Sequence, residues 1–121
     1  MPSPLKLRIR LRLGPDTAIG PGKADLLEAI AETGSIAAAG RHMKMSYRRA
    51  WLLVDTMNQC FKSPVVETSK GGAGHGKATL TPTGTEVLLR FRRIEARALS
   101  ATEADRIALE RLMRKTPKSA T

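Results

Sequence analysis

The sequence predicts a mixed α+β domain, mainly helical, built from a single unit of 121 residues. Three observations predict it. Residues 5–13 alternate apolar and cationic side chains, the period of a strand. Two serine-capped helical stretches begin only eleven residues apart, at Ser35 and Ser46. A glycine-rich basic segment then joins two short β-branched runs, the pattern of a hairpin. The length suits one domain with a core and is short for two of ordinary size.

The first element spans Leu5 to Leu13, with every apolar residue on one face and Lys6, Arg8, Arg10 and Arg12 on the other. Those cations either guard an open strand edge against pairing or meet a phosphate backbone. Gly14 to Gly22, with Pro15, Gly20 and Pro21, reads as a turn-rich connection. Lys23 to Thr33 carries Leu26, Leu27 and Ile30 at helical spacing, and Gly34 ends it as a left-handed cap. Ser35 caps a short helix from Ile36 to about Met43, whose Ala37, Ala38 and Ala39 allow close helix packing. Ser46 caps a longer one, Tyr47 to about Phe61.

With Lys44 in the turn between these two helices, the buried positions fall at Ala39, Met43, Met45, Ala50 and Leu53, all apolar. Gly40 sits where a small residue must let the helices cross. The pattern is that of a helix-turn-helix. Its exposed positions become Ser46, Tyr47, Arg48 and Arg49, then Trp51 and Leu52. Between Arg41 and Val54 there are four Lys or Arg and no acid. A recognition helix enters the major groove by its N-terminal turns, where basic and hydrogen-bonding residues belong. Trp51, the sole Trp, suits either packing between helices or groove contact.

After this helix, Val65–Thr68 and Ala78–Thr81 flank the segment from Ser69 to Lys77, rich in glycine and basic. A hairpin in that position is the wing of a winged helix, and Lys70, His75 and Lys77 supply cations to its tip. Thr81-Pro82 then opens a long helix, with Val87, Leu88, Phe91, Ile94, Ala98 and Leu99 along one side to about Ser100. Ser100-Ala-Thr-Glu103 has the form of a capping box, which either starts a new helix or interrupts the long one before Ile107, Ala108 and Leu112. The expected organisation is a winged helix-turn-helix over 1–81, a C-terminal helical dimerisation segment over 82–115 and a flexible tail over 116–121.

Composition narrows the function classes. Twenty-one Lys and Arg against eleven Asp and Glu give a formal net charge of +10, which draws a polyanion. That polyanion is either a nucleic acid or an anionic membrane face; four aromatic residues cannot tile a single-strand stacking surface, and the helix-turn-helix pattern makes double-stranded DNA the expected partner. The one cysteine, Cys60, forbids an intramolecular disulfide, and no stretch approaches a membrane span, so a cytoplasmic location and no membrane partner are expected. Gly71 to Lys77 matches the start of a nucleotide-binding loop, but position 78 is Ala and the next element is a strand. A soft-metal sensor using His42, Met43, Met45, Cys60 or His75 conflicts with the core roles of the two Met. The scattered acids and two His suggest no catalytic site, metal or cofactor. A non-specific architectural DNA binder would carry the same charge.

The segments Gly34-Ser35-Ile36 through Arg41, and Met45-Ser46-Tyr47-Arg48-Arg49-Ala50-Trp51, resemble the LysR-type helix-turn-helix. Together with Met57-Asn58 and the glycine-rich Gly71 to Thr81 followed by Gly84, they are more similar still to the N-terminal domain of the molybdate-responsive ModE regulators. The resemblance covers about residues 5–100 and implies a homodimeric winged-helix transcription factor whose long C-terminal helices pair. It places Lys44 where the family usually has Gly, at a cost of about 1 kcal/mol if the backbone there is left-handed. The sequence stops at Thr121, so no molybdate site is carried over by the resemblance: the expectation is that the protein either acts without that ligand or leaves sensing to a separate chain. The expected DNA-binding set is Lys44, Ser46, Tyr47, Arg48, Arg49, Trp51, Lys70, His75 and Lys77, acting on an inverted repeat.

Overall fold

In the computed structural model, residues 5–69 and 76–119 are described. Two short strands, β1 (Leu11–Leu13) and β2 (Asp16–Ile19), form an antiparallel hairpin. Three helices follow: α1 (Pro21–Thr33), α2 (Ile36–His42) and α3 (Tyr47–Cys60). A second antiparallel pair, β3 (Val66–Ser69) and β4 (Lys77–Leu80), leads into α4 (Pro82–Ala101) and α5 (Glu103–Leu112). The class is mainly helical with small sheets, as the sequence predicts.

The helix boundaries obey local rules. Gly34 adopts φ 72° and its N–H bonds the Ile30 carbonyl at 2.8 Å, closing α1. The Ser35 hydroxyl accepts from the Ala38 N–H at 3.1 Å, and the Ser46 hydroxyl from the Arg49 N–H at 3.1 Å. Thr81 caps α4 by accepting from the Gly84 N–H at 2.9 Å, with Pro82 in the first turn, where a missing N–H costs nothing.

The core forms where these elements meet. Leu26, Leu27 and Ile30 of α1 pack with Ala39 of α2, Met57 of α3, Val65 before β3 and Phe91 of α4, all essentially fully buried. Val54 and Met57, which the sequence pattern omitted, are the deeper anchors of α3. Met43, Met45 and Leu53 are only partly buried against that core. Gly84 and Val65 are in backbone contact, which sets the angle at which α4 leaves the hairpin.

The expectation for the first strand needs correction. The alternating segment forms ladder only over Leu11–Leu13, because its partner is the four-residue β2, which the sequence reading took for connection. Gly14, at φ 60°, is the first central residue of a two-residue turn, the place where a hairpin wants positive φ. Pro21 lacks an N–H and ends any further pairing. The apolar face is also left open: Leu7, Leu11 and Leu13 are exposed. At the capping-box sequence the long helix does break: α4 ends at Ala101 and α5 begins at Glu103, with Ser100 still inside α4. Thr102 stands between α4 and α5, and its hydroxyl donates back to the Ala98 carbonyl at 2.6 Å.

Charged and polar side chains hold α4 and the first hairpin to α1. The Arg92 guanidinium reaches Asp25 at 2.7 Å and Glu28 and Glu95 at 2.8 Å each. Burial works against its charge, but the bonds to Glu28, Glu95 and Asp25 outweigh that and raise its pKa above the usual value. Lys23 donates to the Thr17 carbonyl, tying α1 to β2. Burial lowers the Lys23 pKa, with Cys60 and Asp16 acting in the opposite direction.

Candidate nucleic-acid interface

The turn between α2 and α3 is the first feature of the site. Lys44 adopts φ 59°, and among the described residues it is the one non-glycine residue in that left-handed region. The turn is held by backbone bonds: Met45 N–H to the Gly40 carbonyl at 2.9 Å and Lys44 N–H to the Arg41 carbonyl at 3.1 Å. A β-carbon at Gly40 would stand 3.2 Å from Cβ of Ala50 and 3.4 Å from the Met45 carbonyl oxygen. Glycine thus lets α3 cross α2 closely, as the spacing predicts.

This crossing fixes which side of α3 faces out. Ala50, Val54 and Met57 are buried, so Ser46, Tyr47, Arg48, Arg49, Trp51 and Leu52 lie on the exposed side. Tyr47 is 58% exposed, Trp51 45% and Leu52 46%. Trp51 therefore stands outside the buried core, on the open side of α3. Ser46 is exposed, but its hydroxyl serves the Arg49 amide. Lys44, Arg48 and Arg49 are exposed cations, and Lys77 opens β4 with an exposed side chain. Lys70 and His75 lie outside the described residues.

An open groove of about 650 Å³ runs between α2, α3 and the second hairpin, lined among others by Arg41, Tyr47, Trp51, Ser69 and Lys77. Tyr47 and Trp51 also line a second depression with Arg48 and Leu52. Of the predicted set, these two hollows bring together Tyr47, Arg48, Trp51 and Lys77, while Lys44 and Arg49 line neither. Arg41 joins the groove although sequence reasoning counted it only as part of a basic run. Its signal was its place on α2 one turn before Lys44.

Asn58 was named only as part of a Met-Asn pair, and its job is positional. Its side-chain oxygen accepts from the Val65 and Val66 N–H groups at 2.8 and 3.3 Å, and its amide donates to the Val66 carbonyl at 3.2 Å. The far end of α3 is thereby bonded to the root of β3. Thr81 secures the other strand: its hydroxyl donates to the Pro64 carbonyl at 2.6 Å and its N–H to the Val65 carbonyl at 3.0 Å. The Ala78 N–H bonds the Gly34 carbonyl at 2.9 Å, linking β4 to the α1–α2 corner. These bonds tie the described strands of the hairpin to α3 and to the α1–α2 corner.

Among the described residues, no group of three or more His, Cys, Asp or Glu is disposed to hold a metal ion, and no helix is long and apolar enough to cross a membrane. Helix, turn, helix and trailing hairpin, with cations along the outer face, define a winged helix-turn-helix of the DNA-binding kind. The chain's homologues are the ModE and Mop molybdenum proteins. It is 42% identical over 78 residues to the molybdenum-pterin-binding protein MopB of Rhodobacter capsulatus, covering 64% of this chain and 29% of that protein. To the molybdenum transport protein ModE of Azotobacter vinelandii it is 36% identical over 100 residues, 79% of this chain and 37% of that protein. To the transcriptional regulator ModE of Yersinia pestis it is 30% identical over 112 residues, 90% of this chain and 41% of that protein. The chain thus spans well under half the length of the curated relatives it matches. No protein-family model matches it. Among solved structures, the DNA-binding domain of CbnR in complex with DNA superposes with a TM-score of 0.57 at 23% identity, covering 73% of this chain and 95% of that one.

Proposed function

We propose that this chain is a DNA-binding transcriptional regulator that reads double-stranded DNA in a sequence-specific manner, as a homodimer on an inverted repeat. The observation that carries the reading is the two-sidedness of α3. One side is locked into the core through Ala50, Val54 and Met57, and the other offers Tyr47, Arg48 and Arg49 from its first turn, with Tyr47 and Trp51 sharing a groove with Lys77. Arg48 and Arg49 reach guanine O6 and N7 or nearby phosphates, because a guanidinium bonds two acceptors at once. Lys44, Arg41 and Lys77, with Lys70 and His75 on the wing, add contacts that carry no sequence information. The role is recognition without catalysis, and the cytoplasm is its setting. The names of its homologues and the fold it shares with a DNA-bound domain support this reading.

The dimer is proposed on the apolar surface left open in one chain, with residues 82–115 as the pairing segment. Ile94 and Leu99 of α4, and Ile107, Leu109 and Leu112 of α5, are exposed, and none of the residues of α5 is buried. An apolar hollow of about 260 Å³ between Leu11, Ile19, Phe61, Val87, Phe91 and Ile94 continues that surface toward the first hairpin. Leu88 is partly packed on its own core, so Ile94 and Leu99 are the better-placed contacts. Selection of bound sequences from a random DNA pool at fixed salt tests the proposal. A palindromic motif with half-sites about 34–36 Å apart is the expected product. Recovery of no motif despite binding would favour an architectural role.

A further inference from the structure

The outward face of α3 is basic at its edges and apolar at its centre. Tyr47 and Trp51 are one helical turn apart, as are Arg48 and Leu52, so the four make one patch. Three large apolar or amphipathic side chains, each 45–58% exposed, occupy ground that a purely electrostatic binder would give to cations or hydroxyls. None of the three contributes to the core cluster. Their surroundings name the occupant. From Arg41 to Val54 there is no acid, Asp55 one turn after Trp51 accepts from the Gln59 amide at 2.7 Å, and Arg48 lies in the patch itself, so the field around it selects a polyanion over a neutral or basic protein surface. Within a duplex, the apolar group that faces the major groove is the C5-methyl of thymine, the one feature there that makes no hydrogen bond.

We infer that Trp51 and Leu52, flanked by Tyr47, form a thymine-methyl reader at the centre of the recognition helix. The inference rests on the DNA-binding reading above and adds to it a base class and the residues that sense it. Arg48 supplies the polar half of the readout from the same patch, so a half-site couples a guanine to one or two neighbouring thymines. Burying one methyl against Trp51 or Leu52 changes affinity about three- to fourfold.

The test uses the full chain and a duplex carrying the best selected site, with each thymidine replaced singly by deoxyuridine, which removes the methyl and leaves every hydrogen-bonding group. One or two positions per half-site are expected to lose about three- to fourfold in affinity. That loss disappears in Trp51→Ala or Leu52→Ala and persists in Arg48→Ala. Both apolar positions are exposed, and a thermal melt matching the parent protein shows that the variants are folded. If the site is bound selectively but no thymidine responds, or the response is unchanged in both apolar variants, the methyl-reader assignment is overturned while the regulator reading stands. A patch that served a protein partner would give that flat series. Absence of any selective DNA binding would overturn the regulator reading and this inference with it.

Discussion

Gly84 of α4 and Val65 at the root of β3 are in backbone contact: a β-carbon on Gly84 would overlap the Val65 carbonyl oxygen and stand 2.9 Å from its carbonyl carbon. The same carbonyl accepts the Thr81 N–H at 3.0 Å, so it has no freedom to turn away. Gly84→Ala is therefore expected to destabilise the fold by about 3 kcal/mol, since overpacking against backbone has no rotamer to relax into. Thermal denaturation should show a midpoint lowered by on the order of 10 °C. An unchanged melt would mean that α4 leaves the hairpin at a different angle.

Asn58→Ala removes the acceptor for two amides and the donor for one carbonyl at the root of the hairpin. Each partly buried group left unpaired costs about 1–3 kcal/mol, so a loss of about 2–3 kcal/mol is expected in denaturant titration. Amide exchange at Val65 and Val66 should rise above that at the buried turns of α1. Equal exchange at both sites would refute the positional role.

Lys44→Gly separates strain from charge. Glycine accepts the φ of 59° freely, so the variant is expected to gain about 0.5–1 kcal/mol in stability. Its DNA affinity should fall for all sequences alike, with the slope of log affinity against log salt reduced by about one. Gain in stability without loss of salt dependence would show that Lys44 does not reach phosphate.

Arg48→Ala and Lys77→Ala should fail differently. The first is expected to cost about 1–3 kcal/mol on the preferred site and little on random DNA, flattening discrimination. The second weakens both equally. Fluorescence anisotropy against the two duplexes at one salt concentration distinguishes them, and identical affinity of the parent and Arg48→Ala for the preferred site would remove Arg48 from the readout.

Leu99→Asp places a charge on the exposed stripe of α4 without touching the core cluster. Sedimentation equilibrium is expected to move from a dimer to a monomer mass, with an unchanged far-ultraviolet spectrum of the remaining helices. A mass that stays dimeric would place the pairing surface elsewhere.

The features legible in the sequence were those decided within a turn of chain. Gly34, Ser35, Ser46 and Thr81 cap helices through bonds to residues three or four positions away, and all four were readable from residue type. Gly40 was readable because a crossing in a short helical pair leaves one possible place for it. The alternation over 5–13 told which face was apolar but not what covers it, and one chain supplies only the brief partner β2. β2 itself holds too few apolar residues to show a period. The capping-box sequence from Ser100 to Glu103 was likewise legible, since α4 ends at Ala101 and α5 begins at Glu103. Arg41 and Asn58 were hard to see because their roles depend on the hairpin, seven or more residues away in the case of Asn58 and farther still for Arg41.

The Thr81 oxygen gives to the Pro64 carbonyl and takes from the Gly84 amide, so a single atom stitches the root of the wing to the start of the 20-residue α4. In the proposed dimer, any displacement of α4 on pairing would reach the root of the hairpin through this one hydroxyl.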